Sequence, residues 1–367
     1  MITKPKTLLL APDYPPTVGG IQRLLGDMVA NTELLDISVI TRGRQSAPGT
    51  NRVVRLSMGS GRASLAALNV LCVAEGLRQR PYLILNGHVA TAPAASILKR
   101  ALRRPVVCFG YGQELTASRW RARAAVRTAD AFMSISAYTD SLLTALGVPA
   151  EHIHRLPPAV GPAVRVAGRP DSHVGITVAR MTELYKGHDT LIRALPLVRA
   201  KVPDVQWIFV GDGPLRRYYE ELARSHGVAD VVRFVGVISD SERDLYMGQS
   251  RVFAMLSRLD PRGGGEGFGI AYLEAARLGL PVVAGREGGA RDAVDDGVTG
   301  LLADATDAVD CARAIIQLLL DDARNQAMGS AAISWASKWT PSATGRALDR
   351  CARQTLGSSR LRLRSRP

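Results

Sequence analysis

The chain has 367 residues, more than one ordinary domain needs and enough for two, and its 46% hydrophobic and 22% charged content is that of a globular protein with sizeable cores. No apolar run approaches the roughly 20 residues that cross a bilayer, and the four scattered cysteines (Cys72, Cys108, Cys311, Cys351) have neither C-x-x-C nor metal-ligand spacing, so reduced thiols in a cytosolic protein are expected. A net charge of +14 asks for an anionic partner, but zinc-finger and RNA-recognition signatures are missing and aromatics make up only 5%, so no nucleic acid is expected.

From the N-terminus, KTLLLAP is cut short by Asp13 and prolines, too early for the apolar core of a leader, and reads as a first buried strand. Short apolar runs then alternate with helix-length amphipathic segments, the pattern of parallel α/β sheets. The first-half strands are TLLLA, ISVI, RVVRL, YLILN, PVVCF, AFMSI and HIHRL, with crossover helices at Ile21–Asn31, Ser64–Arg78 and Ala137–Leu146. LPPAVGPAVRVAGRPDS is aperiodic and rich in proline and glycine, and reads as a domain linker. The alternation resumes with VGITVAR, VQWIFVG, VVRFVG, RVFAML, PVVAG and GLLA. Helices are expected there at His188–Lys201, Leu215–Gly227, Ser241–Gln249, Ile270–Leu278 and Asp307–Leu320. The fold class is therefore α/β, with two Rossmann-like, doubly wound parallel-sheet domains, residues 1–160 and 161–341, facing a central cleft. A helix at 342–356 lacks a strand partner and is expected to pack back on the first domain, ahead of a frayed basic tail at 357–367 that carries Arg360, Arg362, Arg364 and Arg366.

Five stretches bring polar chemistry to strand carboxyl ends, the binding edge of open α/β sheets. In DYPPTVGGIQ, Gly19 and Gly20 precede a helix, so a phosphate can approach the backbone and its free N–H groups; a plain strand-to-helix turn would read the same way. The stretch is not the G-x-G-x-x-G dinucleotide fingerprint. FGYGQEL places Tyr111, Gln113 and Glu114 just past a strand, where a phenol and a carboxylate can address a hydroxylated acceptor or a reacting sugar. ARMTELYKGHD sets Arg180 and Lys186 where two cations can neutralise a diphosphate, solvated surface charge being the competing reading. In PRGGGEGFGIAYLE a glycine loop leads to Glu266, and the N–H groups of Gly267, Phe268, Gly269 and Ile270 face an anion at a helix start, with Glu274 on that helix. The ordinary roles of such glutamates are complementing the helix dipole and facing solvent. REGGARDAV puts Gly288 and Gly289 before a short turn bearing Asp292. No convincing D-x-D pair closes a strand.

Taken in order, PPTVGGIQ, LPPAV, KGHDTLIRALP, VGDGP, EGFGIAYLEA, PVVAG, GGA and GVTGLL resemble the retaining glycosyltransferases of the GT-B fold. That large family includes bacterial α-mannosyltransferases and glycogen, sucrose and trehalose synthases, and the likeness is greatest to the phosphatidylinositol-mannoside mannosyltransferases. Single pieces are loose; the ordered set from Asp13 to about Trp339, with Glu266 and Glu274 eight apart, is specific.

The resemblance implies that Arg180 and Lys186 bind a donor diphosphate and stabilise the leaving group. It implies that Glu266 and the Gly267–Ile270 backbone hold the donor sugar, while Glu274 accepts from the ribose hydroxyls. Gly19 and Gly20 would cover the phosphates, Gly211 and Val237 border the nucleotide, and Gln113, Glu114 and Asp292 contact sugar or acceptor. Tyr111 stands where the family often has the histidine of H-G-x-E, Asp292 where it usually has glutamate, and Ala159 and Gly161 where its linker shows glycine and aspartate.

The implied reaction moves a hexose, with mannose from GDP-mannose preferred, to a hydroxyl of a glycan or lipid-linked acceptor. Configuration is retained by same-face attack, without a protein nucleophile, metal or organic cofactor. The implied location is cytoplasmic and peripheral on an anionic membrane face, through the basic segment 119–127, where Trp120 sits among arginines. Two other readings stay open: a UDP-sugar enzyme (N-acetylglucosamine or glucose) with a soluble acceptor, and a non-catalytic basic module that binds membrane or polyanion. A GT-B phosphorylase would need a cofactor lysine in a motif that is not found, and an epimerase would lack the Arg180/Lys186 and Glu266/Glu274 set.

Overall fold

The computed structural model describes residues 4–17, 19–43, 52–59, 61–162, 173–261 and 263–364. Contacts divide the chain into two units, Met1–Ala159 with Pro341–Pro367, and Val160–Thr340.

The first unit is built on seven parallel strands: β1 (Lys6–Leu10), β2 (Asp36–Arg42), β3 (Val53–Leu56), β4 (Leu83–Asn86), β5 (Val106–Gly110), β6 (Ala131–Ser134) and β7 (Ile153–Arg155), in the spatial order 3-2-1-4-5-6-7. Its helices are α1 (Gly20–Asn31), α2 (Arg62–Gln79), α3 (Ala92–Leu102), α4 (Gln113–Ala117), α5 (Arg119–Thr128) and α6 (Ala137–Ala145). The central strands are continuous apolar runs because helices cover both faces, and β4, β5 and β6 are buried along their whole length. The chain leaves β1 toward β2 and β3, then returns through α2 to β4 on the other side of β1. The carboxyl ends of β1 and β4 thus flank the point where the strand order reverses, the usual ligand crevice of such a sheet.

The last helix, Pro341–Arg364, belongs to this unit and lies along α1, reaching β6 and β7. It is longer than its sequence spacing predicts, since the stretch read as a frayed tail is helical backbone to Arg364. Asp349, 7% exposed, takes the N–H groups of Glu33 (3.0 Å) and Leu34 (3.3 Å) and the Thr32 hydroxyl, and so caps the exit of α1. Gly345 fits so closely that a β-carbon there would lie 1.9 Å from the Asn31 carbonyl oxygen.

The second unit repeats the plan with six parallel strands: β8 (Val174–Val178), β9 (Gln206–Val210), β10 (Val232–Gly236), β11 (Val252–Met255), β12 (Val282–Gly285) and β13 (Gly300–Ala303), in the order 10-9-8-11-12-13. Its helices are α7 (His188–Arg199), α8 (Arg216–Ser225), α9 (Asp240–Gly248), α10 (Ile270–Arg277), α11 (Ala290–Ala293), α12 (Ala308–Leu320) and α13 (Asp322–Ala336). Inside its core, Trp207 Nε1 donates to Thr177 Oγ1 (3.0 Å), whose hydroxyl passes on to the Ala254 carbonyl (2.6 Å), so three strands share one satisfied polar chain. Here the order reverses between β8 and β11.

Every strand read from the sequence is present, as are the helices read there, within a few residues at their ends except the last. Two long helices escape the sequence reading. In α3, Pro93 looks like a loop signal but sits in the first turn, where its missing N–H costs nothing. In α13, alanines, glycine and serines ring the helix, so no apolar stripe betrays it; it is held by packing on α10. All four cysteines are buried and unpaired. Most of the expected linker, residues 163–172, lies outside the described residues.

Replacing Asp349 with alanine strips the acceptor from two N–H groups and a hydroxyl in the groove between α1 and the last helix. A loss of about 2–3 kcal/mol is expected, read as a lower denaturation midpoint at unchanged slope. A midpoint equal to wild type would mean that the cap does not hold the helix to α1.

Candidate active site

The carboxyl edge of the second sheet gathers most of the polar residues singled out above. After β8 the chain passes Arg180, which is exposed, and makes a single 3-10 turn, Leu184–Lys186, before α7. Gly187 joins the two at φ 77°, and a β-carbon on it would lie 1.9 Å from the Leu256 carbonyl at the end of β11. Only glycine lets this turn lie against the neighbouring strand end. The close approach brings Lys186 Nζ to 2.6 Å from Glu266 Oε2, with the two side chains 13% and 12% exposed. Burial alone would push the lysine down, but the Glu266 carboxylate more than offsets it, and Lys186 is held above its ordinary value as a cation.

Arg258, just past β11, grips this turn at both ends. Its N–H donates to the Tyr185 carbonyl (2.9 Å), and its guanidinium reaches Asp189 Oδ1 and Oδ2 (3.0 and 2.9 Å) and Thr190 Oγ1 (3.1 Å). Burial pushes the Asp189 carboxyl up, and the hydrogen bonds from Arg258 and Arg193 outweigh it and keep the group ionised. Between Lys186 and Asp189, His188 is fully buried and stacked on Tyr219 at 4.8 Å. Burial, and then the Lys186 ammonium, push its ring down to about 4, so it adds no second positive charge.

The loop from β11 to α10 supplies the other wall. The Gly289 N–H donates to the Glu266 carbonyl (2.8 Å), and a β-carbon on Gly289 would sit 2.0 Å from the Gly267 carbonyl oxygen. The glycine pair after β12 therefore props up the Glu266–Ile270 loop from behind. Tyr272 anchors α10 by donating to the Met255 carbonyl (2.7 Å) and meeting Ser257 Oγ (2.8 Å), while Phe268 packs edge-on against Trp339 at 4.9 Å. Glu274 is buried on α10 and pairs with Arg243 Nη2 of α9 at 3.3 Å. Asp292 is half-buried in α11, its N–H on the Gly289 carbonyl (3.1 Å). Gly211, just past β9, donates to the carbonyl of Gly236 at the end of β10 (2.8 Å), and Val237 follows at 82% exposure.

In the first unit, Gly19 and Gly20 are exposed at the start of α1, and Gln113 is exposed on α4. The Tyr111 hydroxyl donates to the Gly87 carbonyl (2.9 Å), and Glu114 Oε1 accepts the Tyr111 N–H (2.6 Å); burial raises both groups. The phenol and carboxylate read as facing an acceptor are thus bound to the fold's own backbone. Among the described residues no cluster of three or more His, Cys, Asp and Glu side chains gathers as a metal ion would require.

At the reversal point of this Rossmann-like unit, the loops after β8 and β11 thus bring together an exposed arginine and a nearly buried lysine–glutamate pair. The chain belongs to the glycosyltransferases: residues 166–335 match the family described as "Glycosyl transferases group 1" and residues 19–159 the "Glycosyl transferase 4-like domain". It is 34% identical to the GDP-mannose-dependent alpha-(1-6)-phosphatidylinositol monomannoside mannosyltransferase of Mycolicibacterium smegmatis, over 90% of this chain and 93% of that one. The monoacylated-substrate counterpart of Corynebacterium glutamicum is 32% identical, over 89% and 92%. In fold it is similar to the sucrose-phosphate synthase of Thermosynechococcus elongatus (TM-score 0.81, 20% identity, covering 97% of this chain and all of that one). Anabaena HepE in complex with UDP-glucose is a second such neighbour (TM-score 0.77, 22% identity, 96% and 100% covered). The chain is a glycosyltransferase with two Rossmann-like units.

The Lys186–Glu266 pair predicts a pH effect. With Glu266 present, Lys186 titrates above its ordinary 10.5 and stays charged. In Glu266→Gln burial is opposed only by the weaker influence of Tyr185 and Glu183, so the proton leaves at lower pH. Affinity for a nucleoside diphosphate, followed by calorimetry from about pH 7 to about pH 10, should stay level in wild type and fall with rising pH in the variant. Parallel profiles would remove the pair from diphosphate binding.

Proposed function

We propose that this chain transfers mannose from GDP-mannose to a phosphatidylinositol mannoside-type glycolipid. The observation that carries the reading is the 34% identity, along nearly the whole of both chains, to the Mycolicibacterium smegmatis enzyme whose donor and acceptor those are.

In this reading the bond between mannose C1 and the diphosphate oxygen breaks, and its electron pair leaves with the phosphate. Arg180 and Lys186 stabilise that charge together with the N–H groups of Gly267, Phe268, Gly269 and Ile270, Lys186 being held in place by Glu266 before the reaction starts. The acceptor hydroxyl bonds to C1 on the face the phosphate leaves, and its proton passes to the departing phosphate oxygen. Configuration is retained without a protein nucleophile, and no metal or organic cofactor is assigned a part. Glu266 steers Lys186 and accepts from a sugar hydroxyl, and Glu274 accepts from the ribose. Gly211 and Val237 border the base, Gly19 and Gly20 the phosphates, and Gln113 and Asp292 lie toward sugar or acceptor.

A lipid acceptor requires a membrane contact, and we assign it to α5. At helical spacing Arg119, Trp120, Arg123 and Arg127 share one exposed face, opposite the buried Ala122, Ala125 and Thr128. Trp120, 62% exposed, has the ring that settles at a membrane interface, and the arginines match an anionic cytoplasmic leaflet. No described helix is long and apolar enough to cross a bilayer.

With GDP-mannose and phosphatidylinositol monomannoside, Lys186→Ala is expected to lower kcat/KM by about 10²- to 10³-fold. Turnover of another sugar nucleotide in place of GDP-mannose would overturn the donor assignment. Changing Arg119, Arg123 and Arg127 to serine removes about 1 kcal/mol of attraction each. Partition onto phosphatidylserine vesicles in a sedimentation assay should then fall by about two orders of magnitude, with no change on neutral vesicles.

A further inference from the structure

The carboxyl end of β4 in the first unit holds a group with no role so far. His88 opens the loop between β4 and α3, beside the point where the strand order of that sheet reverses. Its Nδ1 accepts the Ala90 N–H at 3.0 Å, so in the neutral ring the single proton lies on Nε2. Burial pushes the ring down to about 4, so the neutral form is the working one. No hydrogen bond within the described structure engages Nε2.

Three charged groups lie near enough to act on the ring: Asp13 from the loop after β1, Arg42 from the end of β2, and Arg121 from α5. Arg42 Nε and Nη2 hold the Asp13 carboxylate at 3.3 and 3.4 Å, and Nε also reaches the Pro12 carbonyl at 3.1 Å. The Asp13 carboxylate is thereby held in place with acceptor capacity to spare, and its side chain is 37% exposed. The Tyr111 hydroxyl fixes the carbonyl of Gly87, the residue just before His88. A held N–H donor and a held carboxylate acceptor therefore stand at one sheet edge.

We infer that His88 and Asp13 bind a ring hydroxyl of the acceptor's sugar or cyclitol headgroup. A hydroxyl satisfies both partners at once, accepting from His88 Nε2 and donating to Asp13. A phosphate oxygen, with no proton to give, would meet the Asp13 carboxylate unfavourably. The inference rests on the reading of the chain as a transferase to a polyol-bearing glycolipid. It gives the first unit an acceptor contact that Tyr111 and Glu114, engaged by backbone, do not supply.

The test uses the full chain with GDP-mannose and phosphatidylinositol monomannoside in mixed micelles, comparing wild type, His88→Ala and His88→Gln. One lost hydrogen bond of this kind should raise the acceptor KM about tenfold in His88→Ala. Acceptor-independent hydrolysis of GDP-mannose should be unchanged, and His88→Gln, which keeps an N–H donor, should recover most of the loss. An unaltered acceptor KM, or transfer and hydrolysis falling together, overturns the inference. A separate arm titrates wild type with the same micelles and follows the ring-nitrogen NMR signal of His88, identified by its absence in His88→Gln. A shift without turnover of any donor supports the hydroxyl site and overturns mannosyl transfer; turnover without a shift does the reverse.

Discussion

A lysine and a glutamate eighty residues apart, both nearly closed off from water and 2.6 Å from each other, set the terms for the second unit. Taking two such charges out of water costs several kcal/mol each, and their attraction offsets this only where the geometry is held. The surroundings supply that hold. The sheet places β8 beside β11, so the loops that carry Lys186 and Glu266 emerge side by side. Gly187 lets the first loop touch the end of β11, Gly289 supports the second from β12, and Arg258 ties the Lys186 turn to the start of α7. The fold keeps this lysine charged by lodging its counter-ion within the same edge.

The two sheets share a strand order yet treat their binding edges differently. In the second unit the Lys186–Glu266 ion pair stands on the edge itself, between loops that glycines hold close together. In the first unit the residues just past β5 turn inward: Tyr111 donates to the Gly87 carbonyl and Glu114 caps the turn through the Tyr111 N–H. Polar groups near a ligand edge are thus not all available to a ligand, because buried backbone claims some of them first.

This contrast marks how far the sequence could be read. Strand positions and the α/β alternation were legible because each strand is a short apolar run bounded by turn residues. Arg180, Lys186, Glu266 and the glycines announced themselves by standing after such runs. What could not be read depends on partners distant in sequence. Arg258 and Asp189 are 69 residues apart and meet only because β11 lies beside β8. Arg243 reaches Glu274 from a different helix. The hydrogen bond that engages Tyr111 goes to a carbonyl 24 residues upstream, and carbonyls leave no trace in a sequence. The helix α13 was invisible for a related reason: with small residues on every side, its place follows from what packs against it.

The helix that ends the described chain carries one more consequence. Because Pro341 onward completes a unit begun at the N-terminus, that unit is broken in sequence by the whole of the other. During synthesis the second unit is finished before the first can be. Until the last helix emerges, the groove along α1 lacks its apolar cover and the N–H groups of Glu33 and Leu34 lack Asp349. The first unit therefore matures last although it is made first, and an interrupted nascent chain exposes α1 to whatever binds unfinished protein.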